Sequence, residues 1–245
     1  MNVPRFYVEA LSAGRIRLPQ AEGIHASKSR RLSVNDQLIL FDGKGQEGTG
    51  RIVSISKDRI DVEVEQVIRR AQPAPSLTLS VALPKGPRQD LIIEKCTELG
   101  VSGIQPIFTE RSVCSASDHK REKWRRKIIE AAKQSGQCWL PTLYEPRSLK
   151  DVIYDADKFD LLLLAVSPAN EIEGTGKPTE IVDLLGEISS SKTILALVGP
   201  EGGWTDAEIN TIIEAGGRPV SLGPNILRIE TAAVALAAMI HALSQ

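Results

Sequence analysis

Apolar and polar positions follow two different rhythms along the chain. Up to about residue 70 the apolar residues form short runs, and in the last run they alternate with polar residues, as in a half-buried strand. Short strands with close turns, and a single helix candidate at residues 21–32, predict a small β-barrel. The strand candidates are residues 5–8, 37–41, 50–55 and 59–67. Residues 71–76 contain two prolines, which break helices and strand ladders, and therefore predict a linker.

From residue 77 onward, apolar runs of strand length alternate with helical patterns. This alternation predicts an α/β domain with a mostly parallel sheet and helices on both faces. The strand candidates are residues 77–83, 103–108, 160–166, 193–198 and 219–222, and the main helix candidates are residues 89–99 and 119–135. We therefore expect two domains, residues 1–72 and residues 73–245.

Two glycine-containing loops follow successive strand candidates near the C-terminus. The first is Gly199-Pro-Glu-Gly-Gly203, and the second is Gly223-Pro-Asn-Ile-Leu-Arg-Ile-Glu-Thr231. Between them, Thr205 and Glu208 have the spacing of a capping box at the start of a helix. Ligands usually bind at the carboxyl ends of strands in an α/β sheet, so the pattern predicts a binding site. A glycine loop between a strand and a capped helix is also a common structural joint, and the pattern leaves both interpretations open.

Composition and charge restrict the classes of function. A net charge of −1 over 245 residues argues against a protein that coats nucleic acid nonspecifically, so an RNA partner would have to meet a local basic patch. The cysteines Cys96, Cys114 and Cys138 and the dispersed histidines lack metal-ligand spacing and predict reduced, buried thiols, no metal site and a cytoplasmic protein. We find no signal-peptide pattern, and the longest apolar run, residues 232–240, is shorter than the roughly 20 residues that span a bilayer.

Two glycine motifs could suggest a nucleotide cofactor. Gly43-Lys-Gly-Gln-Glu-Gly48 has the spacing of a dinucleotide site, but a further strand follows it instead of a helix, so we expect a hairpin turn. Pro84-Lys-Gly-Pro87 lacks the glycine fingerprint that a nicotinamide-dependent oxidoreductase would need after the first strand of its α/β domain.

Two charged residues lie at the start of the last predicted helix. Glu230 in the first helical turn favourably meets the helix dipole, which favours a structural role. Arg228 opposes the dipole, so its position calls for a reason. It could pair with Glu201 or meet an anionic substrate.

Several motifs, in the same order along the chain, resemble those of a known family. They are Leu197-Val-Gly-Pro-Glu-Gly-Gly203, Ser221-Leu-Gly-Pro-Asn-Ile-Leu-Arg-Ile-Glu-Thr-Ala232, Ile93-Glu-Lys-Cys-Thr-Glu-Leu-Gly-Val101, Glu110-Arg-Ser-Val113 and Glu130-Ala-Ala-Lys-Gln-Ser-Gly136. Together they resemble the small-subunit (16S) rRNA uracil-N3 methyltransferases of the SPOUT class, and the resemblance covers nearly the whole chain. One departure is Ile229, where that family usually has threonine.

The resemblance implies a fold, a cofactor and an assembly. It implies an N-terminal PUA-like β-barrel that binds RNA, a C-terminal α/β domain with a deep trefoil knot, a homodimer, and S-adenosyl-L-methionine as the methyl donor. The knot runs against the general rule that chains avoid knots. The cofactor would lie among three loops, held by main-chain groups and packed against apolar side chains. The implied cofactor-binding residues are Leu164, Ala165, Val198, Gly199, Glu201, Gly202, Gly203, Leu222, Gly223, Asn225, Ile226 and Leu227.

The implied reaction is methylation of N3 of a uridine in 16S rRNA within the small ribosomal subunit. It requires orientation, a proton acceptor and stabilisation of the negative charge that spreads onto the uracil oxygens. We assign the developing anion to Arg228, and orientation or proton acceptance to Glu201. In the structural alternative, an Arg228–Glu201 ion pair only braces the two loops. The alternative function is a catalytically inactive RNA-binding ribosome-assembly factor with the same fold.

RNA contacts and the subunit interface follow less directly. The implied RNA-binding residues are Arg5, Arg30, Arg31, Lys85 and Arg88. Residues 119–127 contain six basic residues, but such a run is usually the solvated face of a helix, and Trp124 within it is expected in the core. The last helix is apolar around much of its circumference, which fits either the core or an interface, and the resemblance favours an interface with a second subunit.

Overall fold

The structure is a computed structural model that describes residues 3–19, 32–56, 59–112 and 118–244. The chain forms two compact units. The first unit comprises Met1–Gln72 and Ile129–Leu140, and the second comprises Pro73–Ile128 and Pro141–Gln245.

The first unit is built on a sheet with the strand order β1-β3-β4-β5-β2. Its strands are β1 (Arg5–Tyr7), β2 (Gly14–Arg17), β3 (Gln37–Phe41), β4 (Gln46–Ser56) and β5 (Arg59–Arg69). Strands β1 and β3 run parallel, and the other pairs are antiparallel. Alternate side chains of the strands point inward and form a core that includes Phe6, Leu38, Leu40, Ile52 and Val62.

The sequence predicted four of these strands but missed β2, a short strand in which two arginines alternate with Gly14 and Ile16. The predicted hairpin turn is confirmed, because β3 and β4 are adjacent antiparallel strands and the turn between them places Gly43 and Gly45 at φ angles of 72° and 92°. Apart from Leu32, the helix candidate at residues 21–32 lies outside the described residues.

The second unit is an α/β unit whose sheet has the order β11-β13-β10-β12-β6-β7-β8, with β9 also paired to β7. Its strands are β6 (Ser76–Val81), β7 (Gly103–Phe108), β8 (Thr142–Leu143), β9 (Arg147–Ser148), β10 (Leu161–Ala165), β11 (Thr179–Glu180), β12 (Thr193–Val198) and β13 (Arg218–Ser221). The α-helices are α1 (Arg88–Glu98), α2 (Asp118–Ser135), α3 (Leu149–Tyr154), α4 (Leu185–Ser190), α5 (Asp206–Glu214) and α6 (Ile229–Leu243), and 3-10 turns cover Ala156–Lys158 and Ile181–Leu184. Helix α2 ends in the part of the chain that belongs to the first unit.

The strand pairs of this sheet are parallel, as the alternation of strands and helices predicted. Strands β10 and β12 are almost continuous apolar runs because both of their faces are covered. Helix α6 packs against α1 and against strands β6 and β12. Trp124 is buried, as expected from the sequence.

Strand β13 occupies an unusual place in the sheet. It lies between β10 and β11, although those two strands are joined to each other by residues 166–178. This strand order is the one expected of a trefoil knot, in which the chain returns through the connection between β10 and β11. Periodicity could not have predicted this arrangement, because it depends on the order in which the strands are placed and not on their composition.

The described cysteines are buried free thiols, as predicted. Burial raises the pKa of the Cys96 thiol to about 12. The pKa of Cys138 is also raised, chiefly by burial and then by the nearby charge of Glu47. Cys114 lies outside the described residues.

Candidate active site

Three neighbouring strands end at the same edge of the parallel sheet. Ala165 at the end of β10 is in register with Val198 at the end of β12 and with Val220 near the end of β13. The loops that follow the three strands therefore emerge side by side. The sequence predicted this placement for the two glycine loops, and the resemblance implied the third loop.

The first glycine loop is packed closely on Trp204. A Cβ atom added at Gly199 would lie 2.7 Å from Cε2 of the indole, a distance that real Cβ contacts do not reach. The indole Nε1 donates a hydrogen bond of 3.0 Å to the carbonyl oxygen of Ala165. Trp204 thus links the ends of β10 and β12, and only glycine at position 199 leaves room for its ring.

A second set of contacts holds the far side of this loop. The predicted capping box is present, because the Thr205 side chain accepts a hydrogen bond from the Glu208 amide and Glu208 accepts one from the Thr205 amide. The other carboxylate oxygen of Glu208 accepts a hydrogen bond of 2.8 Å from the amide of Glu110. Arg111 donates to the carbonyl oxygens of Gly202 at 2.8 Å and Trp204 at 3.3 Å. The loop after β7 therefore fixes both the glycine loop and the start of α5.

The three strand-end loops enclose a cavity of about 660 Å³, a size typical of small-molecule sites. Its lining residues are Arg88, Arg111, Ala165, Val166, Ser167, Pro168, Asn170, Val198, Gly199, Pro200, Glu201, Gly202, Gly203, Trp204, Leu222, Asn225, Ile226, Leu227, Arg228, Ile229 and Ala232. Most residues that were predicted to bind the cofactor are among them. Leu164 is not, because its side chain is completely buried in the core, and Gly223 does not line the cavity either.

The chemistry of this lining fits S-adenosyl-L-methionine. Glycine-rich loops leave main-chain donors and acceptors accessible, as hydrogen bonding to an adenine ring requires. Ile226 is 79% exposed, although it is a large apolar residue, and with Leu222 and Leu227 it gives the cavity an apolar wall.

Glu201 is paired with Arg88 and not with Arg228. Nη1 of Arg88 lies 2.5 Å from Glu201 and 3.9 Å from the buried Glu230. One carboxylate oxygen of Glu230 is buried without a hydrogen-bond donor. Arg88 reaches both carboxylates because it begins α1, which packs against α6. The suggested Arg228–Glu201 ion pair is therefore wrong, and Arg88, which was predicted to contact RNA, lies inside the cavity.

Arg228 is placed by the start of α6. It occupies the N-cap position with an extended backbone, and its own side chain makes no capping hydrogen bond. The side chain is exposed, lines the cavity and has no ion-pair partner among the described residues. A cation held in this way at a cavity wall is available to an anionic group.

The other residues that were predicted to bind RNA have different surroundings. Nη1 of Arg5 lies 2.7 Å from Glu47, and the Arg5 guanidinium lies over the ring of Phe41. Burial acts to raise the pKa of Glu47, but hydrogen bonds from Arg70 and Arg5 outweigh it and hold that pKa below its usual value. These contacts favour a structural role for Arg5 and do not support the predicted RNA contact. Lys85 is exposed just before α1, and Arg30 and Arg31 lie outside the described residues.

The basic run in α2 is largely neutralised where it meets α1. Lys123 pairs with Asp90 at 2.6 Å, and Lys127 pairs with Glu94 at 3.0 Å. Paired lysines of this kind match the structural interpretation that was given for this run.

Sequence reasoning missed several residues of the cavity. Arg111 lies within one of the segments that carried the family resemblance, but no signal in its spacing indicated that it holds the glycine loop. Ser167, Pro168 and Asn170 belong to the loop after β10, whose position depends on strand order. The described residues contain no group of His, Cys, Asp and Glu that could hold a metal ion. Among them, no helix has the length and apolar character to cross a membrane.

Two family models match the chain. The RNA methyltransferase domain matches residues 71–241, and the RNA methyltransferase PUA domain matches residues 18–65.

Named relatives resemble nearly the whole chain. The ribosomal RNA small subunit methyltransferase E of Synechocystis sp. is 33% identical over 236 residues, which cover 96% of this chain and 75% of the relative. That of Rickettsia conorii is 31% identical over 247 residues, which cover 99% and 97%. The crystal structure of the enzyme from Neisseria gonorrhoeae, bound to S-adenosyl methionine, has a TM-score of 0.84 and 32% identity and covers 99% of this chain and 98% of that one. A Legionella pneumophila protein, solved in complex with the same cofactor, has a TM-score of 0.87 and 29% identity and covers 99% of this chain and 98% of that one.

These matches reach into both units and agree on one class of protein, the RNA methyltransferases. The relative from Synechocystis sp. is 33% identical over 96% of this chain, and the RNA methyltransferase domain matches more than half of it. The chain therefore belongs to the ribosomal RNA small subunit methyltransferase E family. The predicted family and fold class are thereby confirmed, including the PUA domain. Two solved relatives hold the methyl donor that the resemblance implied.

We expect replacement of Arg111 by alanine to weaken cofactor binding about tenfold. The loop carbonyl of Gly202 would lose a charged donor. Such hydrogen bonds contribute about 1.5–3 kcal/mol, and this one, which is exposed, is expected at the low end of that range, which corresponds to about tenfold. Titration calorimetry with S-adenosyl-L-methionine measures this change. Arg125→Ala, which removes an exposed arginine that does not line the cavity, is the matched control. Equal affinities for the two variants would show that the hydrogen bonds of Arg111 do not hold the loop in its binding conformation.

Proposed function

We propose that the protein transfers the methyl group of S-adenosyl-L-methionine to N3 of a uridine in small-subunit (16S) ribosomal RNA. Membership of the family and the names of the relatives support ribosomal RNA as the substrate. The observation that carries the proposal is the cavity at the ends of β10, β12 and β13, which combines accessible main-chain groups, an apolar wall and an arginine without an ion-pair partner among the described residues.

The cofactor would be held by the three strand-end loops. Main-chain groups of residues 199–203 and 222–227 would bind its adenine and ribose, and Leu222, Ile226 and Leu227 would pack on the adenine. Trp204 would act indirectly, because it fixes the relative positions of the loops. When bound, S-adenosyl-L-methionine supplies an electrophilic methyl group on a positively charged sulfur.

Arg228 has the properties required to stabilise the anionic uracil. N3 of uracil must lose its proton before or while the new N–CH3 bond forms, and the negative charge then spreads onto the two flanking oxygens. Preorganised donors directed at such a developing charge contribute a large part of the rate enhancement of many enzymes. Arg228 is suited to this role because no described carboxylate neutralises it.

Glu201 would orient the base or accept the N3 proton, either directly or through a water molecule. Its ion pair with Arg88 would keep the carboxylate in one position at the cavity wall. Methyl transfer then forms the N3–C bond as the S–C bond breaks, and the proton leaves through the acceptor. Arg88 would be a positioning residue in this scheme, since it acts through Glu201.

We also propose that two chains form a homodimer through the outward face of α6. Ala233, Leu236 and Ala237 on the inward face are buried within the unit. Val234, Ala235, Ala238 and Met239 on the rest of the helix are only partly buried, and a second subunit would cover them. Light scattering of the purified chain measures its mass. A monomer at micromolar concentration would contradict this part of the proposal.

The test of the reaction is mass spectrometry of small-subunit rRNA from cells with and without the protein. We expect one methyluridine to disappear without the protein, and we expect purified protein and cofactor to restore it on small subunits. Chromatographic comparison with 3-methyluridine and 5-methyluridine then identifies the methylated atom. An unchanged set of methylated nucleosides would contradict the proposal and favour a catalytically inactive assembly factor. A methyl group on another atom would support an RNA methyltransferase activity but contradict methylation at N3.

A further inference from the structure

Three arginines converge on one buried aspartate in the first unit. Nη2 of Arg59 lies 2.7 Å from Asp61, Nη2 of Arg15 lies 3.2 Å from it, and Nε of Arg17 lies 3.7 Å from it. The hydroxyl of Ser54 donates a further hydrogen bond of 3.2 Å. This arginine cluster, Arg15, Arg17 and Arg59, is distinct from the cavity in the second unit.

The register of the strands explains how the arginine cluster forms. Residues 59, 61, 63 and 65 of β5 share one face of the sheet, because side chains alternate along a strand. Arg17 of β2 lies directly opposite Asp61, and Arg15 lies opposite Glu63. On this otherwise exposed face, the Asp61 side chain is only 4% exposed, whereas the arginine side chains are 48–62% exposed. The guanidinium groups therefore cover the carboxylate and remain in contact with solvent themselves.

The charges in this cluster do not balance. Asp61 offsets one of the three positive charges, and the hydrogen bonds from Arg59, followed by those from Ser54 and Arg15, hold its pKa well below the usual range. Glu63 is exposed opposite Arg15, and Arg51 on the same face is neutralised one to one by Glu65 at 3.1 Å. Even if Glu63 is counted, the arginine cluster keeps an excess of positive charge.

The geometry suits the phosphate groups of a nucleic acid. Guanidinium groups form paired hydrogen bonds to phosphate oxygens, and a fixed guanidinium loses less side-chain entropy when it does so. Asp61 occupies some of the N–H donors and so fixes the groups, while the other donors have no partner among the described residues. Strands β2, β4 and β5 contain no aromatic residue on which a base could stack. This surface is therefore suited to the backbone of RNA and not to its bases.

We propose that Arg15, Arg17 and Arg59 form a phosphate-binding site for the backbone of the RNA substrate, with Asp61 as the positioning residue. The identity of the partner rests on the proposed function, because it takes the RNA to be the substrate of the methyl transfer. Contacts of this kind contribute to affinity and register without reading sequence.

The test is the salt dependence of binding to small-subunit rRNA transcribed in vitro. A variant with Arg15→Gln, Arg17→Gln and Arg59→Gln also carries Asp61→Asn, so that no buried carboxylate loses its compensating charges. Each phosphate contact contributes about 0.7–0.9 to the slope of log affinity against log salt concentration. We expect the slope of this variant to be smaller by about 2.1–2.7, because three contacts are lost. Between 50 and 200 mM salt, the original protein should therefore lose about 20- to 40-fold more affinity than the variant.

Arg51→Gln is the matched control, because it removes one charge from the same face but from a one-to-one pair. We expect it to leave the slope unchanged. The proposal would be overturned if the fourfold variant kept the slope of the original protein. It would also be overturned if Arg51→Gln lowered the slope as much as replacement of one arginine of the cluster. Should the fourfold variant fail to fold, Arg17→Gln is the substitute, because Arg17 is the most exposed of the three and the farthest from Asp61. It should lower the slope by about 0.7–0.9, and an unchanged slope would overturn the proposal.

Methyl transfer and cofactor affinity, measured on the same samples, separate this inference from the proposed function. If the protein methylates rRNA and the variants keep the original slope of binding, only the role of the arginine cluster is rejected. If the protein binds rRNA through the cluster but does not methylate it, only the proposed methyl transfer is rejected.

Discussion

The Gly199→Ala variant should bind S-adenosyl-L-methionine roughly 30- to 700-fold more weakly than the original protein. The added methyl group would lie 2.7 Å from the Trp204 ring, so the indole must move and lose its hydrogen bond to Ala165. Overpacking costs about 1–3 kcal/mol and a lost hydrogen bond about 1 kcal/mol, and each 1.4 kcal/mol corresponds to about a tenfold change. Calorimetry measures the affinity. Position 199 does not have the positive φ that would strain alanine, so the effect would come from the ring and not from the backbone.

Gly186→Ala is the control for this experiment. A methyl group at Gly186 in α4 would meet nothing within 4 Å, and we expect cofactor affinity to remain unchanged. A double variant that combines Gly199→Ala with Trp204→Leu relieves the overlap and should recover part of the lost affinity, although the hydrogen bond to Ala165 stays absent. If Gly199→Ala bound the cofactor as well as Gly186→Ala does, the contact between the loop and the indole could not be what shapes the cavity.

The Arg228→Gln variant should lower kcat about 100- to 1000-fold at saturating cofactor. That is the range found when a single preorganised donor to a developing negative charge is removed. Since the proposed interaction forms mainly in the transition state, KM for rRNA should change little. Steady-state methyl transfer with labelled cofactor measures both constants.

Arg218→Gln removes the same charge from the start of β13, the strand that leads into the same loop. Arg218 is paired with Glu187 at 2.8 Å and does not line the cavity, so we expect at most a twofold change in kcat. Turnover by Arg228→Gln at the rate of this control would reject the catalytic role of Arg228. A large rise in KM with unaltered kcat would instead indicate that Arg228 only binds the RNA.

Local patterns predicted most of the strands and the start of α5. Strands β7 and β12 have the predicted bounds. The limits of β12 were clear because a buried parallel strand is a nearly continuous apolar run. The capping box of Thr205 and Glu208 was readable because both partners lie within one helical turn. Placement of the two glycine loops at one edge of the sheet followed from the general geometry of α/β proteins.

Contacts between distant segments could not be predicted in the same way. The sequence offered Arg228 as a partner for Glu201, but the structure has Arg88, because α1 packs on α6 and brings its first residue to the cavity. The hydrogen bond from Trp204 to Ala165 likewise depends on which strands are neighbours. The family resemblance implied that Arg5 contacts RNA. Its closest ionic partner is Glu47, which lies on another strand and comes close to Arg5 only because the strands pair in the sheet.

The position of β13 between β10 and β11 couples completion of the fold to ligand affinity. In a trefoil knot, the fold that this strand order matches, residues 222–228 reach the cavity only after the end of the chain has passed through the connection between those two strands. A molecule in which β6, β10 and β12 have assembled but the tail has not passed through would possess two walls of the cavity and lack the third. A ligand that binds only the finished cavity stabilises the finished form by mass action. We therefore expect S-adenosyl-L-methionine to protect the C-terminal helix from proteases only in molecules whose tail is in place. The rate at which this protection appears during refolding would then measure the rate at which the tail passes through.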